Sequence, residues 1–233
     1  MPRHVVYQYW TGTEMPPARK SCFDSSLDKF GVPVELITDA NLGDYVVPGN
    51  PLHPCFDLLG VTHKSDYVRC YMAHFHGGGW ADIKKFGADN NWAESFDVLD
   101  RTPSADILGT EEQRGVAAFN SWRNPGRPGG LLSVSWFIAR RDTPFTRMWY
   151  SRLMRWMDLM APSLESHPGT GTYGVSPGSW RTPGDSPFAP GYPLGYFSVG
   201  PEPFHYTCAK MYRIRPESIL SSLATGRIRT EYK

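Results

Sequence analysis

The sequence is poor in cysteine, in net charge and in long apolar runs, and each shortage excludes something. Only four cysteines occur in 233 residues, at 22, 55, 70 and 208. They form no CxxC pair and no zinc-ligand spacing, so reduced thiols are expected rather than a disulfide scaffold or a zinc ribbon. Lys and Arg number 24 against 23 Asp and Glu, a net charge of +1. A nucleic-acid binder or a polybasic membrane anchor carries a clear basic excess, and this chain has none. The longest apolar stretch, around 131–139, falls far short of the roughly 18–20 residues of a membrane-spanning helix. Met1-Pro2-Arg3-His4 shows no signal-peptide pattern, which leads to the expectation of a cytoplasmic protein. There is no internal repeat, no GxSxG, no P-loop and no GxGxxG after a strand.

What the chain has instead is turn-forming and aromatic residues: 23 Gly, 21 Pro, 8 Trp and 12 Tyr. Defined loops on a rigid scaffold are where binding and catalysis usually sit. Hydrophobic residues make up 40% and charged residues 20%, a globular balance.

Local patterns give the element order. His4 to Tyr9 is β-branched and aromatic and reads as a strand. Pro16 to Phe30 reads as a helix with Gly31 past its end. Val34 to Thr38 is a second strand, with Asp39 placed to cap the short segment Ala40 to Tyr45. Thr62 to His76 reads as a helix, since Val68, Tyr71, Met72 and Phe75 recur at three- and four-residue spacing. Gly77-Gly78-Gly79 ends it, and Trp80 to Phe86 is strand-like. This β-α-β-α-β order predicts an α/β domain with a largely parallel sheet. Asp106 to Leu108, Val116 to Asn120 and Leu131 to Arg140 read as further strands. Thr143 to Met160 reads as a helix with a Met/Trp face suited to core packing. Residues 162–203 read as a Gly/Pro-rich loop, and Phe204 to Arg229 as a short helix with a strand such as Tyr212 to Arg215.

The stretch that carries chemistry is Lys64-Ser65-Asp66-Tyr67-Val68-Arg69, followed by Gly77-Gly78-Gly79-Trp80-Ala81-Asp82-Ile83-Lys84. Asp66 and Arg69 are three apart and share a helix face. Such a pair is either a surface ion pair or a carboxylate for sugar hydroxyls beside a guanidinium for phosphate. Asp82 sits at the exit of a strand, where ligands bind in open α/β sheets. His63, His74 and His76 do not converge on one helix face, so no zinc site is expected. Residues 126–130 read as a turn, and 140–142 as a solvated strand end.

This block resembles the DXD-containing sugar-binding region of glycosyltransferases, and most closely the capsular polysaccharide synthesis proteins. It is also similar to the equivalent segment of the large clostridial glucosylating toxins. The shared pattern is S/A-D-x-x-R, an apolar helix, then G-G-x-[YW]-x-D. Here that pattern is Ser65-Asp66, Arg69, Gly77-Gly78, Trp80 and Asp82. The first strand ending Gln8-Tyr9-Trp10 and the segment Leu132 to Pro144 extend the likeness over about the first 160 residues.

The resemblance implies a single GT-A-like, Rossmann-related domain with a mixed, mostly parallel sheet. Residues 1–90 would form the nucleotide-sugar half, and 91–233 the acceptor side with loop 162–203. It implies a transferase, retaining in most relatives, with a nucleotide-sugar donor and a glycan acceptor. Trp10 would stack on the base, with Gln8 and Tyr9 on the same loop and Asp39 near the base or ribose. Ser65, Asp66 and Arg69 would contact the sugar and diphosphate. Asp82 would match the first DXD aspartate and could hold Mn²⁺ or Mg²⁺.

The second DXD aspartate is replaced by Lys84. Either Lys84, alone or with Lys85 or Arg69, neutralises the diphosphate without metal, or an ion sits on Asp82 with diphosphate oxygens and a group such as Asp89 or His205, or Lys84 is simply solvated. No base or nucleophile is assignable among Asp142, Asp185, Glu202 and His205. A non-catalytic nucleotide-sugar or glycan-binding module is the alternative reading.

Overall fold

The computed structural model describes residues 4–12, 14–85, 92–111, 131–169, 191–195 and 197–221. Six strands form one sheet: β1 (Val6–Trp10), β2 (Val34–Thr38), β3 (Gly78–Ala81), β4 (Ile107–Glu111), β5 (Leu132–Ala139) and β6 (Ile219–Ser221). Their order is β2-β1-β3-β5-β4-β6. Only β5 runs against the others, pairing antiparallel with β3 and β4. The fold is therefore α/β with a mixed, mostly parallel sheet.

Among the described residues five helices cover the sheet: α1 (Pro17–Lys29), α2 (Val61–Phe75), α3 (Trp92–Asp100), α4 (Pro144–Ser166) and α5 (Pro201–Ile214). Strand alternation divides the core in two. Tyr7, Tyr9 and Ile37 face α2, α4 and α5, joined by Tyr67, Met72, Trp149 and Phe204. Val6, Trp136 and Ile138 face the other way, against Phe30 at the end of α1 and Trp92, Phe96 and Leu99 of α3. The connection from β1 to β2 thus uses one face of the sheet and that from β2 to β3 the other. The order reverses at the carboxyl ends of β1 and β3, where open α/β sheets bind ligands.

β5 changes face partway along. Leu132 and Val134 join the α2-side core, while Trp136 and Ile138 join the α3 side. The β4–β5 register shifts at the same place, between Gly109 and Glu111. Such bulges re-aim backbone groups and favour functional edges.

Several boundaries differ from the sequence reading. α4 continues through Pro162 to Ser166, so the expected loop loses its first residues, and α5 begins at Pro201. Tyr212 to Ile214 end α5 instead of forming a strand; the strand is Ile219–Ser221, which pairs parallel with β4. β3 starts within the glycines and stops before Asp82. Gly77 alone terminates α2: it takes a left-handed φ of 68°, and its N–H reaches Met72 O at 2.9 Å. Asp39 caps nothing; Asn41 precedes the 3-10 turn Leu42–Tyr45. Val116 to Asn120, residues 126–130, Asp89, Asp185 and most of 162–203 lie outside the described residues. Among the described residues no helix is long and apolar enough to cross a membrane.

Candidate active site

The period of two along β3 and its exit places Trp80 and Asp82 on the α2 side of the sheet. There Asp82 meets Arg69, whose side chain is 4% exposed. Arg69 Nη2 lies 3.0 Å from Asp82 Oδ1 and 3.0 Å from Asp66 Oδ1. Its Nη1 donates to the Val134 carbonyl at 2.7 Å, so the β5 bulge helps to hold it. Its guanidinium carbon also sits 5.4 Å from the centroid of the Trp80 ring. Trp80 Nε1 donates to Asp82 Oδ1 at 3.1 Å. Lys84 Nζ reaches Asp82 Oδ2 at 2.8 Å and Ser135 Oγ at 3.3 Å. Two carboxylates and two cations thus form one chain of contacts, Asp66–Arg69–Asp82–Lys84.

Burial acts differently on the two carboxyls. Burial pushes Asp66 up to about 7, with the nearby Asp82 charge adding to it and the pull of Arg69 only partly offsetting it. Burial also pushes Asp82 upward, but Arg69 and Lys84 outweigh it and hold that carboxyl well below the usual range. Asp82 is therefore the fixed anion of the cluster, and Asp66 the group that exchanges a proton near neutrality. Lys84, 19% exposed, is the cation open to solvent.

Among the described residues, Asp82 is met by two cations and an indole N–H rather than by further oxygen ligands of the kind a divalent ion takes. Oδ1 already accepts from Arg69 and Trp80, and Oδ2 from Lys84. Mn²⁺ or Mg²⁺ bound there would sit beside the Arg69 and Lys84 cations. His205 cannot complete a shell there, because it is buried under α5 with Nε2 on the Leu132 carbonyl at 3.1 Å. Among the described residues no group of three His, Cys, Asp or Glu could hold a metal ion.

A second polar group lies at the carboxyl ends of β1 and β2. Asp39 accepts from Tyr9 Oη, from Thr11 Oγ1 at 2.6 Å and from Gly12 N–H at 3.3 Å. Burial raises the Asp39 carboxyl, but these donors outweigh it and hold it below its ordinary value. Asp39 and Lys64 share a cleft of about 500 Å³ with His53, Phe56 and Asp57. Trp10 ends β1 half-buried, and its buried Nε1–H has no partner among the described residues.

The remaining expected residues scatter. Gln8 is fully buried on the α1 side, with its amide on Ser26 Oγ at 3.3 Å. Ser65 is half-buried on α2. Asp142 is exposed past the carboxyl end of β5, at the end of the strands away from Asp82, and pairs with Arg147 at 2.6 Å. Glu202 lines a groove between α4 and α5. His63 does not bind with His74 or His76; it ties to Tyr192 Oη at 2.9 Å and the Gly195 carbonyl at 3.1 Å. Trp80 belongs to the G-G-x-[YW]-x-D pattern, whereas Ser135, the Val134 carbonyl and Gly200 join the site without having been singled out for it.

No protein-family model matches this chain, and no curated protein matches it. Among solved structures, the apo form of mouse xyloside xylosyltransferase 1 is similar at 12% sequence identity, with a TM-score of 0.48. That likeness covers 94% of this chain and 84% of the mouse chain.

Proposed function

We propose that the chain is a GT-A-type glycosyltransferase that moves a sugar from a nucleotide-sugar donor to a glycan acceptor without a divalent metal. The observation that carries this reading is the Asp66–Arg69–Asp82–Lys84 chain at the carboxyl end of β3, with Lys84 Nζ 2.8 Å from Asp82. The first 90 residues hold the donor and the rest of the chain presents the acceptor. Trp10 stacks on the base, and Asp39 takes ribose hydroxyls. Asp66 and Arg69, both buried, hold Asp82 and through it Lys84 in position for the sugar and diphosphate.

In transfer, the bond from the sugar C1 to the diphosphate oxygen breaks and the acceptor oxygen bonds to C1. The acceptor proton leaves with the nucleoside diphosphate. Lys84 supplies the positive charge that the departing diphosphate needs, the service a metal performs elsewhere. Asp82 positions Lys84 and Arg69 for it.

The test is release of nucleoside diphosphate from a panel of donors in EDTA, with and without oligosaccharide acceptors. Acceptor-dependent release supports the reading. Release of free sugar without acceptor makes the protein a hydrolase and contradicts it. The engagement of Asp82 by Arg69, Trp80 and Lys84 also suits a non-catalytic nucleotide-sugar module, and donor binding without turnover would select that alternative.

A further inference from the structure

The donor site leaves unused a groove of about 660 Å³ between α4 and α5. Arg152, Arg155 and Trp156 line it from α4, and Glu202, Tyr206 and Lys210 from α5. The Arg152 guanidinium lies 3.7 Å from the centroid of the Tyr206 ring and ties the two walls together. Arg155 Nε makes only a long 3.4 Å bond to the Ser151 carbonyl of its own helix. Among the described residues no carboxylate pairs with Arg152, Arg155 or Lys210. Trp156 Nε1 likewise has no partner among them.

The groove adjoins the candidate active site. Ser198 and Glu202 line it, while Gly200 between them backs directly onto the Asp66 carboxyl. Only the first turn of α5 separates the two.

The geometry points to a uronate-bearing oligosaccharide as the occupant of this groove, bound as the acceptor; its role as acceptor rests on the transferase reading above. Arg152 and Arg155 sit about one turn apart on α4, and Lys210 lies one turn, about 6 Å of helix, beyond Tyr206, over which Arg152 sits. Three cations along one groove that also presents Trp156 and Tyr206 suit carboxylates carried on sugar rings, whose faces pack against aromatic rings while a carboxylate meets a guanidinium fork. The Glu202 carboxylate in the wall and the net charge of +1 disfavour a nucleic acid, which needs a basic excess.

The test is titration of a fluorescent short oligogalacturonide into the full chain. Wild type is compared with the Arg152→Gln, Arg155→Gln double variant and with Lys210→Gln. A neutral oligosaccharide of equal length, an oligonucleotide and an acidic peptide serve as competitors. Saturable, salt-sensitive binding that falls about tenfold or more in the double variant supports the proposal. Both sites are exposed, so an unchanged melting temperature shows that the variants are folded. Equal binding by the double variant, or better competition by any of the three competitors, overturns it. Nucleotide-sugar binding is measured in parallel. Uronide binding without donor binding sinks the transferase reading and leaves the groove assignment standing. Donor binding without uronide binding sinks the groove assignment alone.

Discussion

The carboxyl group of Asp66 lies so close to Gly200 that a Cβ there would come within 2.4 Å of Asp66 Oδ1. The Asp66 side chain of α2 therefore packs directly on the backbone that opens α5. This contact seals the inner end of the ion chain from water, and burial is the main force raising the Asp66 carboxyl. Gly200→Ala must push the two helices apart, an overpacking that costs about 1–3 kcal/mol. We expect melting to fall by about 2–10 °C. Differential scanning calorimetry would show it, and an unchanged melting temperature would deny the contact.

Asp66 should make stability depend on pH in an unusual direction. Its folded value is about 7, above the roughly 3.9 of an unfolded chain. Between these values the folded protein keeps a proton that the unfolded chain has released, so this share of stability falls as pH rises. His205 acts oppositely: burial lowers it to about 4, so its share is lost as pH falls. Asp66→Asn removes only the first effect. The melting temperature of the variant minus that of wild type should therefore rise by a few degrees from about pH 5 to about pH 8. A constant difference would contradict it.

Arg69 contacts both buried carboxyls and the Val134 carbonyl. Arg69→Met leaves two carboxylates without their shared cation. Breaking a buried pair from one side costs about 3–5 kcal/mol. Chemical denaturation should show a loss of that size, and a loss under about 1 kcal/mol would mark the pair as a surface contact.

Trp10 tests the donor side independently. If its ring stacks on the nucleotide base, Trp10→Ala loses about 1–3 kcal/mol of donor affinity, or about five- to a hundred-fold. Isothermal titration with a nucleoside diphosphate would show it. Equal affinity in the variant would place the base elsewhere.

How far the sequence carries can be read from these same residues. β2 matches its expected span because it is a short β-branched run that Pro33 and Asp39 bound, and α2 lies within one residue at each end because its apolar residues recur at three- and four-residue spacing. The i, i+3 spacing of Asp66 and Arg69 places them on one face, but spacing carries no depth. Their burial comes from Gly200 and Val134, which stand 134 and 65 positions along the chain from Asp66 and Arg69 respectively. The end of α5 reads as strand because Tyr212 and Ile214 have β propensity, while its packing against the sheet makes it helical. β6 has three residues and exists only through pairing with β4, which no local pattern encodes. Lys84 is conspicuous as a departure from the DXD pattern, yet its pairing with Asp82 needs the turn after β3 to be known.

The central claim is that Lys84 stands where a metal would act. The most direct measurement is the thermal shift given by nucleotide-sugar donors in EDTA and in Mn²⁺, on wild type and Lys84→Gln. A donor at about a hundred times its dissociation constant adds about 2.7 kcal/mol, a shift of several degrees. The account predicts equal shifts in EDTA and Mn²⁺ for wild type, and a much smaller shift for Lys84→Gln in both. Stabilisation of wild type only with Mn²⁺, or an undiminished shift in Lys84→Gln, would contradict it.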